Sequence, residues 1–186
     1  DGILGQMAEA SEYKEPEKQK PVPKGWALTG CEGRKPNVIR TLYLQQKDAL
    51  EEKNMELQAK YDLISEKLQL SEIHDAKDAE IIVIAYGTPA RIAHWAVKNA
   101  RESGVKACLF RPITLWPFPV LELRKLASRC RRILVVEMSN GQMIEDVRLA
   151  FSGTDIKSRI DFLGRGGGWY PKPKELLAKV MEVAKR

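Results

Sequence analysis

Two hydrophobic periodicities divide the chain. Residues 40–70 contain neither Pro nor Gly, and Leu50, Asn54, Leu57, Tyr61, Ile64 and Leu68 recur at spacings of four and three. That spacing predicts one long amphipathic helix whose apolar seam is interrupted by Asn54. Fewer than three heptads do not sustain an isolated coiled coil, so the seam packs either on the protein's own core or on a partner helix, and both readings stand. After Asp75 the pattern changes. Glu80–Tyr86 is a continuous apolar run rich in Ile and Val, as a parallel strand buried on both faces requires. Gly87-Thr88-Pro89 breaks it. Thr88 is placed to cap a helix with Pro89 at its first position. This helix runs to about Ser103 and stops at Gly104.

The alternation then repeats. Val105–Phe110 reads as a second strand. The Pro-rich loop Arg111–Pro119 leads into a helix that reaches about Arg129. Arg132–Val136 is the third strand, and Ser139-Asn140-Gly141 turns into a helix over Gln142–Phe151. Ser158–Leu163 is the fourth strand, Gly164–Gly168 a glycine-rich turn, and Pro171 and Pro173 precede a last helix to Ala184. Four strand–helix units joined by right-handed crossovers give a three-layer α/β/α domain on a mainly parallel sheet. The expected organisation is a remnant and linker over 1–37, a long amphipathic helix over 38–75 and the α/β domain over 76–186. The Pro- and charge-rich stretch Glu12–Lys24 suits an extended linker, and Trp26 is a single large anchor in the loop that follows.

Composition and charge refine this picture. Of 186 residues, 44% are hydrophobic and 30% charged, a globular composition in which one core can form without disulfide or metal staples. No apolar run approaches the ~20 residues that span a bilayer, so no membrane is expected. The chain begins at Asp1, with no initiator Met and no signal or transit-type leader, and reads as a piece of something longer, in the cytoplasm. The formal net charge of +6 is uneven: residues 41–75 carry four Lys/Arg against eight Asp/Glu, and residues 76–186 carry twenty against eleven. A basic domain thus follows an acidic segment. Without an RNA-binding signature, a helix-turn-helix pattern or a basic run longer than Arg131-Arg132, no nucleic acid is expected, and an acidic protein partner is the alternative to a merely solvated surface.

Chemistry-bearing residues are sparse. Cys31, Cys108 and Cys130 are widely spaced and odd in number, so they cannot supply a four-thiolate iron–sulfur or zinc site, and they read as reduced, buried cysteines. His74 and His94 sit in no metal or triad motif. Strand ends in such a fold face the ligand side. They place Thr88, Arg111, Gly164, Arg165, Gly166 and Gly167 as a candidate anion-binding or interface site, with the glycine N–H groups and Arg165 as the donors. The turn lacks the spacing of a dinucleotide fingerprint and has no Walker lysine. Glu137, just beyond the third strand, has no partner base or nucleophile, which favours a structural hydrogen-bonding role. Glu145 and Asp146 point about 100° apart on a helix and form no carboxylate pair. No catalytic and no metal-ligating residue is expected.

Four segments carry a family resemblance. Arg111–Pro119, Ala85–Arg91, Glu137–Arg148 and Gly164–Gly168 resemble, in order and spacing, the C-terminal region of the α-type subunit of 2-oxoacid:ferredoxin oxidoreductases. Asp1–Met7 is similar to the segment that closes the preceding pyrimidine-binding domain of that family. Trp26–Gly33, Leu42-Tyr43-Leu44 and the long helix resemble the branched-chain, 2-oxoisovalerate type most, with the 2-oxoglutarate type as rival. The resemblance implies a transketolase C-terminal-like domain. It implies a parent complex that decarboxylates a 2-oxoacid oxidatively to an acyl-CoA, with thiamine diphosphate, Mg and iron–sulfur clusters and with ferredoxin and CoA as partners. No catalytic residue of the family maps onto this chain. The fragment itself is therefore expected to hold no cofactor, to be inactive alone and to serve subunit assembly, with a homo-oligomer left open. A stand-alone nucleotide- or anion-binding module is the reading from a different class.

Overall fold

A computed structural model of the chain describes residues 5–6, 10, 12–17, 20–38 and 48–186. Tyr61–Arg186 belong to one compact unit and Ala8–Lys60 to a second. The Asp1–Met7 segment, apart from residues 5–6, and the Leu42-Tyr43-Leu44 segment lie outside the described residues.

In the second unit, residues 12–17 and 20–24 form neither helix nor strand. Trp26 does not anchor its loop in a core, since 66% of it is exposed. The loop is held instead by Asn37, whose Nδ2 donates to the carbonyls of Gly25 and Ala27, both at 2.9 Å. Helix α1 spans Ala49–Lys67 and contains no buried residue. Its predicted seam therefore does not lie on a core: Leu50, Tyr61 and Leu68 are all exposed.

The α/β unit is built on a five-stranded sheet. Strand β1 is Ser71–His74, β2 Ile81–Ile84, β3 Ala107–Pro112, β4 Arg132–Glu137 and β5 Arg159–Gly164. The spatial order is β1-β3-β2-β4-β5. Strands β2 to β5 are parallel, with Ile81 beside both Ala107 and Arg132. Strand β1 runs antiparallel on the edge, with Glu72 opposite Arg111 and His74 opposite Leu109. The sequence reading missed β1 and assigned residues 71–75 to the long helix. Its four residues are too few and too polar for a period of two to show, and only pairing with β3 makes them a strand.

Helices α2 (Gly87–Glu102), α3 (Val120–Ala127), α4 (Met143–Phe151) and α5 (Pro173–Lys185) follow the four parallel strands. The core has two faces because strand side chains alternate. Ile82, Ile84, Cys108, Phe110, Ile133 and Val135 pack with α3 and α4 on one face. Ile81, Val83, Ala107, Leu109, Leu134 and Val136 pack with α2 and α5 on the other. Every residue of β2 is buried, the double coverage that a continuous apolar run predicts. Each such Ile, Val or Leu stabilises the fold by roughly 1.5–3 kcal/mol relative to exposure.

Loops at the opposite end of the sheet are tied by polar contacts. Arg101, at the end of α2, donates to the carbonyls of Asp75 (3.3 Å) and Ala107 (2.9 Å) and pairs with Asp78 Oδ1 at 2.6 Å. The hydrogen bond from Arg101 holds the Asp78 carboxyl below its ordinary value. A depressed folded-state pKa contributes stability above the unfolded value and loses it as pH falls through the folded value. Asp78→Asn should therefore lower the urea midpoint at neutral pH. Well below pH 3.8 wild type and variant should unfold at the same concentration; a gap that persists in acid would show that the charge is not the cause.

Candidate functional site

The parallel strands all end on one side of the sheet, and the order of the chain reverses between β2 and β4, the position where folds of this class bind ligands. Glu137, the last residue of β4, sits there fully buried. One carboxylate oxygen accepts from Ser139 Oγ (2.7 Å), Gln142 N (3.1 Å) and Met143 N (2.9 Å), and the other from Ile144 N (3.2 Å). Gln142, at the cap position of α4, makes no side-chain cap of its own. Glu137 thus satisfies free N–H groups of a helix that begins six residues later, with its charge at the positive end of the helix. The Asp146 carboxyl, one turn further on, is raised above its ordinary value first by desolvation and then by the charge of Glu137.

The glycine turn is built into the same corner. A Cβ on Gly164 would lie 2.4 Å from the Phe162 ring, 2.7 Å from the Ser139 carbonyl and 2.9 Å from that of Glu137. Gly166 N donates to Asn140 Oδ1 at 3.0 Å. Arg165 lies 4.5 Å over the Trp169 ring and pairs with Glu175 in the first turn of α5. Gly164 is therefore glycine because two loops cross there, and the charge and one N–H expected to hold an anion are engaged within the chain. These residues do not fit a diphosphate cradle.

Thr88 and Arg111 lie elsewhere. Helix α2 begins at Gly87 rather than after Thr88, and Tyr86 occupies the cap position without a side-chain cap bond. Gly87 takes φ +59°, which turns the chain out of β2 directly into the helix and moves Thr88 into its buried first turn. Thr88 is thus not the predicted N-cap. Arg111 reaches across the edge of the sheet to Glu72 at 2.9 Å, a pairing that depends on the strand the sequence did not reveal. Gly87 and Arg111, but not the glycine turn, line a cavity of about 600 Å³ between α2 and the β1/β3 edge. His74 and His94 face each other in it, with ring centroids 5.0 Å apart. Its helical wall is Arg91, His94, Trp95 and Lys98; of these the sequence reading weighed only His94, and placed it in no motif. The signal was a 42% exposed Trp set among cations on the polar face of an amphipathic helix.

The Arg111–Pro119 loop is tied down by hydrogen bonds. Ile113 N donates to the Leu70 carbonyl (2.9 Å), Leu70 N to Thr114 Oγ1 (3.0 Å) and Thr114 Oγ1 to the Pro117 carbonyl (2.8 Å). The Trp116–Pro117 bond is cis, and Tyr61 meets the Trp116 ring edge-on at 5.8 Å. Held in this way, Ile113, Leu115, Trp116 and Leu121 remain exposed, as do Leu68 and Leu70 beside them.

Cys108 and Cys130 are buried and Cys31 is exposed, against the expectation that all three are buried. Cys130 Sγ donates to the Ala79 carbonyl at 3.2 Å. The Cys108 thiol is pushed up by its hydrogen bond to Cys130 and by burial, the opposite of what a nucleophile needs. Among the described residues no group of three or more His, Cys, Asp and Glu could hold a metal ion, and three cysteines cannot ligate a four-thiolate cluster. Among the described residues no helix is long and apolar enough to cross a membrane.

Known proteins resemble this chain along its whole length. The family described as pyruvate:ferredoxin oxidoreductase core domain II matches residues 79–176. Ketoisovalerate oxidoreductase subunit VorB of Methanothermobacter thermautotrophicus is 39% identical over 184 residues, which cover 99% of this chain and 51% of the relative. 2-Oxoglutarate synthase subunit KorA of Methanothermobacter marburgensis is 43% identical over 104 residues, 56% of this chain and 27% of the relative. The chain thus spans about half the length of the VorB relative. The solved 2-oxoglutarate:ferredoxin oxidoreductase from Magnetococcus marinus, with 2-oxoglutarate, coenzyme A and succinyl-CoA bound, has a similar fold. Its TM-score is 0.63 at 21% identity, over 75% of this chain and 24% of that one. A split gene transketolase, an inactive beta4 tetramer, gives 0.54 at 16% identity, over 62% of this chain and 41% of that one. The three-layer α/β architecture with a mainly parallel sheet is therefore shared with the matched part of each.

Removing the Glu137 carboxylate should leave several buried N–H groups without a partner, at a cost of about 1–3 kcal/mol for each one that water does not reach. Glu137→Ala is expected to lower the urea midpoint sharply, and amide exchange at Met143 and Ile144 should accelerate in Glu137→Gln. Unchanged exchange in the Gln variant would mean that the carboxylate does not cap α4.

Proposed function

The chain belongs to the pyruvate:ferredoxin oxidoreductase core domain II family, and from that premise we propose that it forms part of the α-type subunit of a 2-oxoacid:ferredoxin oxidoreductase. The preferred substrate of the parent complex is 2-oxoisovalerate. The VorB likeness extends over 184 residues and so includes the linker and long helix, whereas the KorA likeness covers 104. A 2-oxoglutarate type is the alternative. The complex would use thiamine diphosphate with Mg to activate the 2-oxoacid and iron–sulfur clusters to pass electrons to ferredoxin, with the acyl group leaving on CoA, in the cytoplasm.

This chain's own part is subunit assembly, with 76–186 as the docking domain, residues 38–75 leading into it and 1–37 as the linker. The observation that carries this reading is the fixed apolar ridge of Ile113, Leu115, Trp116 and Leu121. An exposed Trp beside Leu and Ile, prepaid in conformational entropy by the hydrogen bonds to Leu70 and Pro117, is the kind of anchor that dominates protein interfaces. Meanwhile the groups most suited to chemistry are engaged internally: Glu137 caps a helix, Arg165 pairs with Glu175 and Arg111 with Glu72. Those two ion pairs favour an interface reading of Arg111 and Gly164–Gly167 over an anion site, while Thr88, buried in α2, belongs to neither.

Mixing the chain with the remaining subunits should give a complex that co-elutes, and Leu115→Ala/Trp116→Ala should weaken association tenfold or more. Normal assembly by a full subunit lacking residues 76–186 would sink the proposal. Tight calorimetric binding of CoA or a nucleotide by the isolated chain, lost in Arg165→Ala, would instead support the anion-binding module.

A further inference from the structure

Helix α2 turns one stripe away from the core, and that stripe has no part in the role proposed above. From Arg91 to Lys98 its exposed positions are Arg91, His94, Trp95 and Lys98, spaced so that they share a face. Across from them, Glu72 and His74 of β1 and Arg111 of β3 complete a groove of about 600 Å³. The charge of this groove is unbalanced. Glu72, the one carboxylate that lines it, is taken by Arg111 at 2.9 Å, with His74 Nε2 3.9 Å away. Arg91 and Lys98 make no hydrogen bond or ion pair among the described residues. They stand seven residues apart, about 10 Å along the helix. In the same groove the rings of His74 and His94 face each other at 5.0 Å, and each imidazole carries an N–H donor. Cations gathered around a hollow repel one another until an anion enters, and phosphate oxygens take charge-assisted hydrogen bonds from Arg, Lys and imidazole N–H groups.

A second hollow adjoins the first. Arg91 and Trp95 also border a mostly apolar depression of about 630 Å³, whose other walls include Ile92 and Pro173. Both hollows fall within the range of about 300–1,000 Å³ in which small ligands bind. Trp95, exposed at the surface, thus borders a cationic hollow and an apolar one. An indole face is a stacking platform for a flat heteroaromatic ring, and the nearby cations suit a negative charge attached to that ring. Lys172, at the rim of the depression, lies 3.8 Å over the Tyr170 ring, so Arg91 is the cation common to both hollows that is not otherwise engaged.

We propose that this face of α2 binds a nucleotide, with the phosphate in the groove among Arg91, Lys98 and the two histidines and the base in the depression against Trp95. An inorganic anion would use the groove alone and an apolar molecule the depression alone. A base joined to a phosphate uses the two hollows together, through the walls they share. The inference is independent of the assembly role, which uses the Trp116 ridge, and of the glycine turn, where Arg165 is already paired with Glu175.

The test is an NMR titration of the isotopically labelled 186-residue chain with ADP, AMP and ribose 5-phosphate, in which the dispersion of each variant's amide signals reports its folding. Saturable shifts are expected at the Trp95 indole N–H and at the amides of residues 91–98 on adding ADP. Arg91→Ala/Lys98→Ala should raise the Kd for ADP at least tenfold. AMP should bind about tenfold more tightly than ribose 5-phosphate, and Trp95→Ala should abolish that preference. Arg165→Ala should bind ADP as the wild type does. An absence of saturable shifts at Trp95, or an affinity indifferent to the Arg91/Lys98 double substitution, would overturn the proposal. So would equal binding of AMP and ribose 5-phosphate, which means attraction of a phosphate alone, and so would loss of binding in Arg165→Ala, which places the ligand at the glycine turn. The Trp116 ridge is untouched in these variants, so their binding to the partner subunits reads out the assembly role separately.

Discussion

The helical end of the sheet depends on one buried carboxylate. Glu137 leaves strand β4 and turns back to receive Ser139 Oγ and the N–H groups of Gln142, Met143 and Ile144. A charge placed at full burial is costly unless every oxygen is paired, and four donors meet that condition here. The consequence spreads outward. The fixed 137–142 turn presents the Ser139 and Glu137 carbonyls against which Gly164 must close, so the next strand can end there only as glycine. Asn140, from the same turn, then holds Gly166.

This arrangement explains why a fold that usually places ligands at the reversal of strand order shows a packed corner there. The crevice between β2 and β4 is taken up by the chain's own cap. What remains exposed lies at two other places, the apolar ridge beyond β3 and the cationic groove between α2 and the antiparallel edge strand. That distribution agrees with a chain that spans about half the length of the VorB relative.

Much of the architecture was legible in the sequence because it rests on local signals. The runs Ile81–Ile84 and Ile133–Val136 are apolar at every position, which only a doubly covered strand tolerates. Gly104 stops α2 and Gly141, at φ +110°, turns into α4. The structural role of Glu137 was also legible, since no partner base stood near it in the sequence. The Arg111 pairing was not, because its partner Glu72 lies thirty-nine residues away on a strand too short to announce itself. Thr88 looked like a cap because Ser and Thr before Pro often are one, yet the left-handed Gly87 had already begun the helix.

The sequence by itself determined the succession of the four parallel strands and their helices and the two-sided core, because periodicity, turn residues and burial act over a few neighbouring positions. Tertiary structure alone decided that β1 exists, that Arg165 and Arg111 are bound to carboxylates, and that Arg91, Trp95 and Lys98 line a groove against the edge of the sheet. Each of those facts depends on which distant backbone lies alongside, and strand register is set by the whole sheet rather than by any short stretch of residues.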